Sequence, residues 1–176
     1  MKRNIVLTGF MGTGKTSTGK NLSQKLGRSF IDLDHYIEEK YQMKIPEMFS
    51  RFGEEYFRTR EKETVDEVSS KHGIIIATGG GTVKDPWNIA RLRENGIIVC
   101  LTSNIETIST RTEHRGDRPV LDREEKSNRD RIIAIERLLQ ERKKFYDQCD
   151  VTVDTSDKSP MQVVEEICRY LKARGV

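Results

Sequence analysis

The segment GFMGTGKT at residues 9–16 limits what this chain can fold into more than any other stretch. It matches the pattern G-x-x-x-x-G-K-[ST], with an apolar run, NIVLT, before it and a predicted helix, KTSTGKNLSQKL, after it. A strand, a glycine-rich turn and a helix in that order form the context in which this pattern binds phosphate groups. The glycines let successive backbone N–H groups face phosphate oxygens, and the helix N-terminus adds a partial positive charge. The segment therefore predicts a nucleotide phosphate-binding loop (P-loop).

Within this loop, Lys15 is predicted to neutralise the β and γ phosphates, and Thr16 to present its hydroxyl to Mg²⁺. The residues predicted to bind the nucleotide here are Gly12, Thr13, Gly14, Lys15, Thr16 and Ser17. The DxxG and NKxD strings of a GTPase do not occur in the chain, which argues against a GTP switch. A dinucleotide site is also disfavoured, because Ser17 stands where GxGxxG needs its third glycine.

Short β-branched runs alternate with helical stretches along the chain. Four of them are NIVLTG, GIIIATGGG, GIIVCLTS and CDVTVDTS, and SFIDLD is a weaker fifth. This alternation predicts an α/β fold with a parallel sheet covered by helices on both faces. Asp85 before Pro86 and Ser159 before Pro160 indicate helix starts. A further charged helix is expected over residues 53–72, with Phe57, Val65 and Val68 as its thin apolar stripe.

Composition narrows the function classes. The chain has 176 residues, which fits one domain, and a net charge of +3 whose excess lies in residues 111–144. That segment mixes both signs with little aromatic content, so a small anion site is favoured over nucleic acid. Three scattered cysteines without CxxC spacing, no signal-peptide pattern and no run of about 20 apolar residues favour a reduced, cytoplasmic protein without membrane association.

Asp32 and Asp34 end one of the apolar runs, in the string DLD. If residues 29–32 are the end of a strand, side chains two apart leave one face about 6.6 Å apart, given a rise of about 3.3 Å per residue, and the two carboxylates point one way. Such a pair suits a metal or a substrate hydroxyl. A solvated strand end or the N-cap of a helix from His35 is the alternative.

Several strings occur together in an order that resembles the shikimate kinases. They are the P-loop, Asp32 and Asp34, GEEYFRTRE at 53–61, TGGG at 78–81, RPVL at 118–121 and RKKFY at 142–146. The resemblance implies a three-layer α/β/α P-loop kinase with a central five-stranded parallel sheet. It also implies a substrate-binding region at about 33–61 and a mobile lid at about 112–125. Members transfer the γ-phosphate of ATP to the 3-hydroxyl of shikimate, with Mg²⁺ as cofactor, in chorismate and aromatic amino acid biosynthesis.

The resemblance also implies roles for residues outside the P-loop. Asp34 would bind the shikimate hydroxyls and act as the base, while Asp32 would reach Mg²⁺, through water or directly. The other residues expected to bind shikimate are Arg58, Glu61, Gly79, Gly80, Gly81 and Arg142. Arg118 would contact the ATP phosphates from the lid, and Arg111 would stack on adenine.

Other interpretations stay open at this stage. Arg58 with Glu54 and Glu61 is also the pattern of an exposed helical ion pair. Lys144 stands where the family usually has proline, so the position of Arg142 is in question. Gluconate kinases and nucleoside monophosphate kinases also have a P-loop and a closing lid, so they are alternatives among enzymes. The alternative from another class is a non-catalytic ATP-binding protein that uses its lid to engage a protein partner. A monomer is expected, since no amphipathic stripe demands a dimer.

Overall fold

The computed structural model describes residues 2–112 and 128–176, and these contain five strands and seven helices. The strands are β1 (Asn4–Gly9), β2 (Phe30–Asp32), β3 (Ile75–Ala77), β4 (Gly96–Thr102) and β5 (Val151–Asp154). The helices are α1 (Lys15–Leu26), α2 (Leu33–Tyr41), α3 (Ile45–Ser69), α4 (Pro86–Asn95), α5 (Ile105–Thr112), α6 (Asn128–Tyr146) and α7 (Pro160–Ala173). A 3-10 turn at Thr82–Lys84 lies between β3 and α4.

The five strands form one parallel sheet in the order β2-β3-β1-β4-β5. In the centre of the sheet, Leu7 of β1 pairs with Ala77 of β3 on one side and with Val99 of β4 on the other. The helix after β1 and the helix after β3 pack on opposite faces, although the two strands are neighbours. Open α/β sheets bind ligands at such a point, outside the carboxyl ends of the strands.

Both faces of the sheet are covered, which confirms the predicted three-layer α/β/α architecture. On one face, Ile5 and Leu7 pack with Leu22 of α1 and Ile167 of α7. On the other, Val6 belongs to a cluster that draws buried side chains from the remaining helices. Burying each aliphatic side chain of this size contributes roughly 1.5–3 kcal/mol. The near-continuous apolar runs in the sequence are therefore the central strands of the sheet.

The predicted helix starts at Asp85 and Ser159 are confirmed. The carboxylate of Asp85 accepts a hydrogen bond from the backbone N–H of Trp87, and Ser159 forms a reciprocal capping box with Gln162. Each cap satisfies backbone N–H groups that the first turn of a helix leaves without an internal partner.

The predicted bounds of the charged helix over 53–72 were wrong. The observed α3 begins at Ile45 and ends at Ser69, and Gly53 interrupts it with a non-helical backbone (φ 82°, ψ 174°). The helix starts earlier because Pro46 occupies its first turn, where a missing N–H costs nothing. The stripe of Phe57, Val65 and Val68 is buried as expected. Among the described helices, none is both long and apolar enough to cross a membrane.

Candidate active site

A cleft of about 1440 Å³ opens at the carboxyl ends of β1, β2 and β3. It brings together fifteen of the sixteen residues that the sequence singled out, and the remaining one, Arg118, lies outside the described residues together with most of the expected lid. The fifteen are Gly12, Thr13, Gly14, Lys15, Thr16, Ser17, Asp32, Asp34, Arg58, Glu61, Gly79, Gly80, Gly81, Arg111 and Arg142.

The loop between β1 and α1 has the backbone of an anion site. Gly9, Gly12 and Gly14 all have positive φ, at 140°, 77° and 91°, a conformation that side chains with a Cβ rarely adopt. Gly14 is the N-cap of α1, and no described side chain caps this helix. The N–H groups of its first turn therefore remain available for an anion, with the positive end of the helix dipole behind them.

Lys15 lies back against its own loop. Its ammonium donates to the carbonyl oxygens of Gly9 and Phe10 at 2.7 and 2.9 Å. Thr13 is buried, and its hydroxyl donates to the same Phe10 oxygen at 2.7 Å. The hydroxyl of Ser17 donates to the Gly14 oxygen at 3.1 Å. These bonds hold the loop in a concave shape around the positive charge of Lys15.

Asp32 and Thr16 connect the end of β2 to the phosphate loop. The hydroxyl of Thr16 donates to Asp32 Oδ2 at 2.6 Å, and Asp32 Oδ1 accepts from the backbone N–H of His35 at 3.4 Å. Asp32 is thus the N-cap of α2, which was the alternative interpretation from the sequence. β2 ends at Asp32, as expected. The expectation that both aspartates leave one strand face was wrong, because Asp34 lies in the first turn of α2.

Asp34 nevertheless faces the cleft, where its carboxyl group has an unusual environment. Its pKa is raised from 3.8 to about 7, chiefly by burial and then by the negative charges of Asp32 and Glu61, against the opposing effect of the Lys15 ammonium. A carboxyl group that titrates near neutral pH can hold and release a proton at working pH. Asp34 therefore has the acid–base properties of a general base.

Arg58 is held by the carboxylates of its own helix. Glu61 is only 2% exposed and accepts from Arg58 Nη1 at 2.8 Å, whereas the more exposed Glu54 accepts from Nε and Nη2 at 3.2 Å. The second oxygen of Glu61 accepts from the hydroxyl of Thr82, which is fully buried, at 2.7 Å. Arg58, Glu61 and Thr82 thus form a hydrogen-bonded network that fixes the arginine, which an ordinary surface ion pair does not do.

The three glycines after β3 leave space for three different side chains. A Cβ atom on Gly79 would lie 2.6 Å from Asp34 Oδ1, and one on Gly81 would lie 2.8 Å from Arg58 Nη2. A Cβ on Gly80 would lie 3.5 Å from Arg142 Nη1. None of the three has a positive φ. Gly79 and Gly81 therefore serve close approach of a side chain, whereas a Cβ on Gly80 would make ordinary contact.

Arg142 reaches this turn from the opposite wall. Helix α6 continues through Lys144 to Tyr146, so the absence of the family's usual proline does not remove Arg142 from the cleft. Arg142 is 7% exposed, and its guanidinium lies over the ring of Phe10 at 5.4 Å and donates to the Gly80 oxygen at 3.3 Å. Arg58 and Arg142 thus present two guanidinium groups, from two different helices, to one cleft.

Comparison with known proteins identifies the family of this chain. A family model described as shikimate kinase matches residues 11–172. The chain belongs to the shikimate kinase family. A shikimate kinase of Caldanaerobacter subterraneus subsp. tengcongensis is 45% identical over 98% of this chain and 99% of its own length. A shikimate kinase of Geobacter metallireducens is 42% identical over 98% of this chain and 93% of its own length. The structure of the Acinetobacter baumannii shikimate kinase in complex with shikimate has a TM-score of 0.92 at 33% identity, covering 99% of this chain and 95% of that chain.

Membership of the shikimate kinase family confirms the predicted fold class and makes the chain an ATP-dependent kinase whose acceptor is an alcohol group. The phosphate loop and the cluster formed by Asp34, Arg58 and Arg142 line the same cleft.

Arg111 links the phosphate loop to the segment after β5. Its guanidinium donates to the Gly12 oxygen at 3.2 Å and to the hydroxyl and carbonyl oxygens of Thr155 at 3.2 and 3.1 Å. The Thr155 hydroxyl also lies 2.9 Å from the carbonyl oxygen of Thr13. These contacts place Arg111 beside the nucleotide loop, while its stacking on adenine remains a prediction.

Sequence reasoning gave no individual role to Thr82, Thr155 and Tyr146, although Tyr146 ends the RKKFY string. Each has a hydroxyl that contacts a residue or loop of the site, and each is buried. Thr82 and Thr155 directly follow the glycine turn and β5, so their position at strand ends was a usable signal. Tyr146 lies one helical turn after Arg142, on the same face, which was also visible from the spacing.

Proposed function

We propose that this chain transfers the γ-phosphate of MgATP to the 3-hydroxyl of shikimate, giving shikimate 3-phosphate and ADP. The observation that carries the proposal is the position of Asp34, whose carboxyl group has a pKa of about 7 and lies in one cleft with Lys15 of the phosphate loop and Arg58. A base between a phosphate site and a carboxylate site is what phosphorylation of a hydroxy acid requires.

The acceptor is held by its carboxylate. Arg58 and Arg142 approach the cleft from α3 and α6, and each guanidinium can donate two parallel hydrogen bonds to a carboxylate. Glu61 keeps Arg58 oriented through its 2.8 Å bond. Because both arginines are held before binding, less side-chain entropy is lost when the acceptor arrives. The glycine turn at 79–81 supplies a wall without side chains next to it.

Transfer begins with the proton of the 3-hydroxyl, which moves to Asp34. The hydroxyl oxygen forms a bond to the γ-phosphorus while the bond from that phosphorus to the β,γ-bridging oxygen breaks, and ADP leaves with the electron pair. Lys15 and the N-terminus of α1 stabilise the negative charge that builds up on the phosphates. A positioned base contributes roughly 10²–10⁴ to the rate of such a step.

The residues beside the phosphate loop fit Mg²⁺. Thr16 and Asp32 offer hard oxygen ligands 2.6 Å apart beside the phosphate loop and would hold the ion together with the nucleotide phosphates. Among the described residues no group of three or more His, Cys, Asp or Glu side chains could hold a metal ion, so this ion would be held by few protein ligands, phosphate and water. When bound, Mg²⁺ neutralises developing charge on the phosphates. Thr16 and Asp32 orient it, Asp32 directly or through water.

Several further proposals come from the family. Arg118, from a lid at about 112–125, would contact the ATP phosphates and exclude water, and Arg111 would stack on adenine. Residues 33–61 would form the substrate-binding region of a single domain spanning 1–176. We also propose that the protein is a cytoplasmic monomer whose partners are the small molecules ATP and shikimate, without nucleic acid or membrane.

A substrate panel tests the proposal. Purified protein with MgATP is assayed for ADP release with shikimate, gluconate, AMP and CMP, and Lys15→Met serves as the matched inactive variant. We expect turnover with shikimate alone, and its loss in Lys15→Met while the thermal unfolding curve stays cooperative. Turnover with gluconate instead would show that the chain is a gluconate kinase. No turnover with any of the four, despite measurable ATP binding, would overturn it in favour of a nucleotide-binding protein with a different partner.

A further inference from the structure

The carbonyl oxygen of Gly80 accepts hydrogen bonds from two side chains of α6. The hydroxyl of Tyr146 donates to it at 2.8 Å and Arg142 Nη1 at 3.3 Å. Residues four apart lie on the same face of a helix, so both donors approach the same peptide group from one direction. The glycine turn is thereby anchored to the helix that carries one of the two acceptor-site arginines.

The two bonds differ in how easily they can be given up. The bond from Tyr146 has the usual length for a hydroxyl donor, whereas that from Arg142 is longer than the usual limit of about 3.2 Å for an N–H donor. A guanidinium carries five N–H groups, so Arg142 has other donors to offer a ligand. A tyrosine has a single O–H. The bond from Tyr146 is therefore the one suited to persist when an acceptor binds.

The surroundings of Tyr146 preserve this donor. Its side chain is 8% exposed, and burial raises the pKa of its hydroxyl to about 12. The hydroxyl stays protonated at neutral pH and can donate throughout the working range. The Gly80 oxygen in turn gains a partner that does not depend on Arg142.

We propose that Tyr146 is a positioning residue for the acceptor site, holding the Gly79–Gly81 turn so that Arg142 is free to bind the acceptor carboxylate. This inference rests on the proposed function. Without the hydroxyl, Arg142 is the only described side chain that still donates to the Gly80 oxygen. The arginine would then be shared between that oxygen and the substrate. The turn would also lose its anchor beside Asp34 and Arg58, which contact Gly79 and Gly81.

The test is Tyr146→Phe, which removes one oxygen and keeps the ring. We expect the KM for shikimate and its Kd by calorimetry to rise about 3- to 10-fold, the size of one lost hydrogen bond. The KM for ATP should stay within about twofold, because Tyr146 contacts the acceptor side of the cleft. Tyr170→Phe is the matched control, since the Tyr170 hydroxyl donates to the Asp150 carbonyl at 3.0 Å away from the cleft. This variant should leave both KM values unchanged.

A double-mutant cycle separates positioning from general loss of stability. If Tyr146 acts by freeing Arg142, then Tyr146→Phe should raise the shikimate Kd much less in an Arg142→Ala background than in the wild type. Additive effects, or an unchanged shikimate Kd in Tyr146→Phe, would overturn the inference while leaving the proposed function intact. Equal rises in both KM values would also overturn it, since they indicate a structural effect. A wild type that neither binds nor phosphorylates shikimate would overturn both.

Discussion

Asp34 and Gly79 fit each other so closely that a side chain at position 79 would displace the carboxylate. A Cβ atom on Gly79 would lie 2.6 Å from Asp34 Oδ1 and 3.2 Å from the hydroxyl of Thr82. The turn after β3 thus sets where the first turn of α2 can place its carboxyl group. The position of the proposed base is decided between two elements that are more than forty residues apart in the chain.

Gly79→Ala should therefore reduce kcat strongly without unfolding the protein. Its methyl group would move the Asp34 carboxylate, and misplacement by about 1 Å can lower the rate roughly 100-fold. Gly80→Ala is the matched control, because its methyl would make ordinary contact with Arg142 at 3.5 Å. Steady-state kinetics of both variants, with thermal unfolding to check folding, measure the difference. A Gly79→Ala enzyme with kcat near that of Gly80→Ala would contradict the relationship.

The rate should depend on pH through Asp34. Asp34 must be deprotonated to accept the proton, and its pKa is about 7, so kcat/KM for shikimate should rise with pH and level off above a midpoint near 7. Glu61→Gln removes one of the negative charges that raise this pKa, so the midpoint should move to lower pH. It should remain above 3.8, because burial of Asp34 persists. An unmoved midpoint in Glu61→Gln would show that another group is being titrated.

The same shift has a cost in stability. The pKa of Asp34 is about 7 in the folded protein and close to 3.8 when unfolded, so the native state binds the proton more tightly. The free energy of unfolding therefore falls as pH rises from about 4 to 7. Asparagine has no charge at any of these pH values, so Asp34→Asn removes the pH-dependent fall in the free energy of unfolding. This variant should therefore raise Tm more at pH 8 than at pH 4.5. Asp157→Asn, at an exposed position, is the control. A Tm difference for Asp34→Asn that is equal at the two pH values would rule out the raised pKa.

Asp32→Asn should separate the two tasks of Asp32. Asparagine is as good an N-cap as aspartate, so α2 should persist and Tm should change little. A neutral amide is a weaker ligand for Mg²⁺, and the Mg²⁺ concentration needed for half-maximal rate should rise about tenfold, as for other ligand-shell changes. Titration of Mg²⁺ at saturating ATP and shikimate measures it. An unchanged Mg²⁺ requirement would assign Asp32 to helix capping alone.

Arg58→Ala should weaken acceptor binding selectively. Loss of a guanidinium that binds a carboxylate should raise the KM for shikimate about 10- to 100-fold, while the KM for ATP stays nearly constant. Arg51→Ala is the matched control, because Arg51 pairs with Glu47 on the same helix and does not line the cleft. Its shikimate KM should equal that of the wild type. If Arg58→Ala left the shikimate KM unaltered, the carboxylate role would have to be given up.

Much of this architecture follows from local patterns. The five apolar runs, the glycine-rich loop and the two proline-marked helix starts were each predicted within a short window, and the structure has them in place. The wrong expectation that Asp32 and Asp34 share a strand face shows the limit of predictions from short segments. Two-residue spacing predicts one strand face only while the strand continues, and the N-cap at Asp32 ends β2 there.

The sequence by itself determined the strands, the phosphate loop and the set of residues proposed for the site. These features depend on residues that are close together in the sequence, such as the flexible backbone at Gly12 and Gly14, the apolar runs and the helix caps. Tertiary structure alone decided how distant groups meet. The pKa of Asp34 depends on burial and on Glu61 of another helix, and Gly79 and Gly81 are required by the side chains of Asp34 and Arg58 that lie against them. Desolvation, Coulomb interaction and steric contact act through space, so their strength is set only once the sheet brings these segments together.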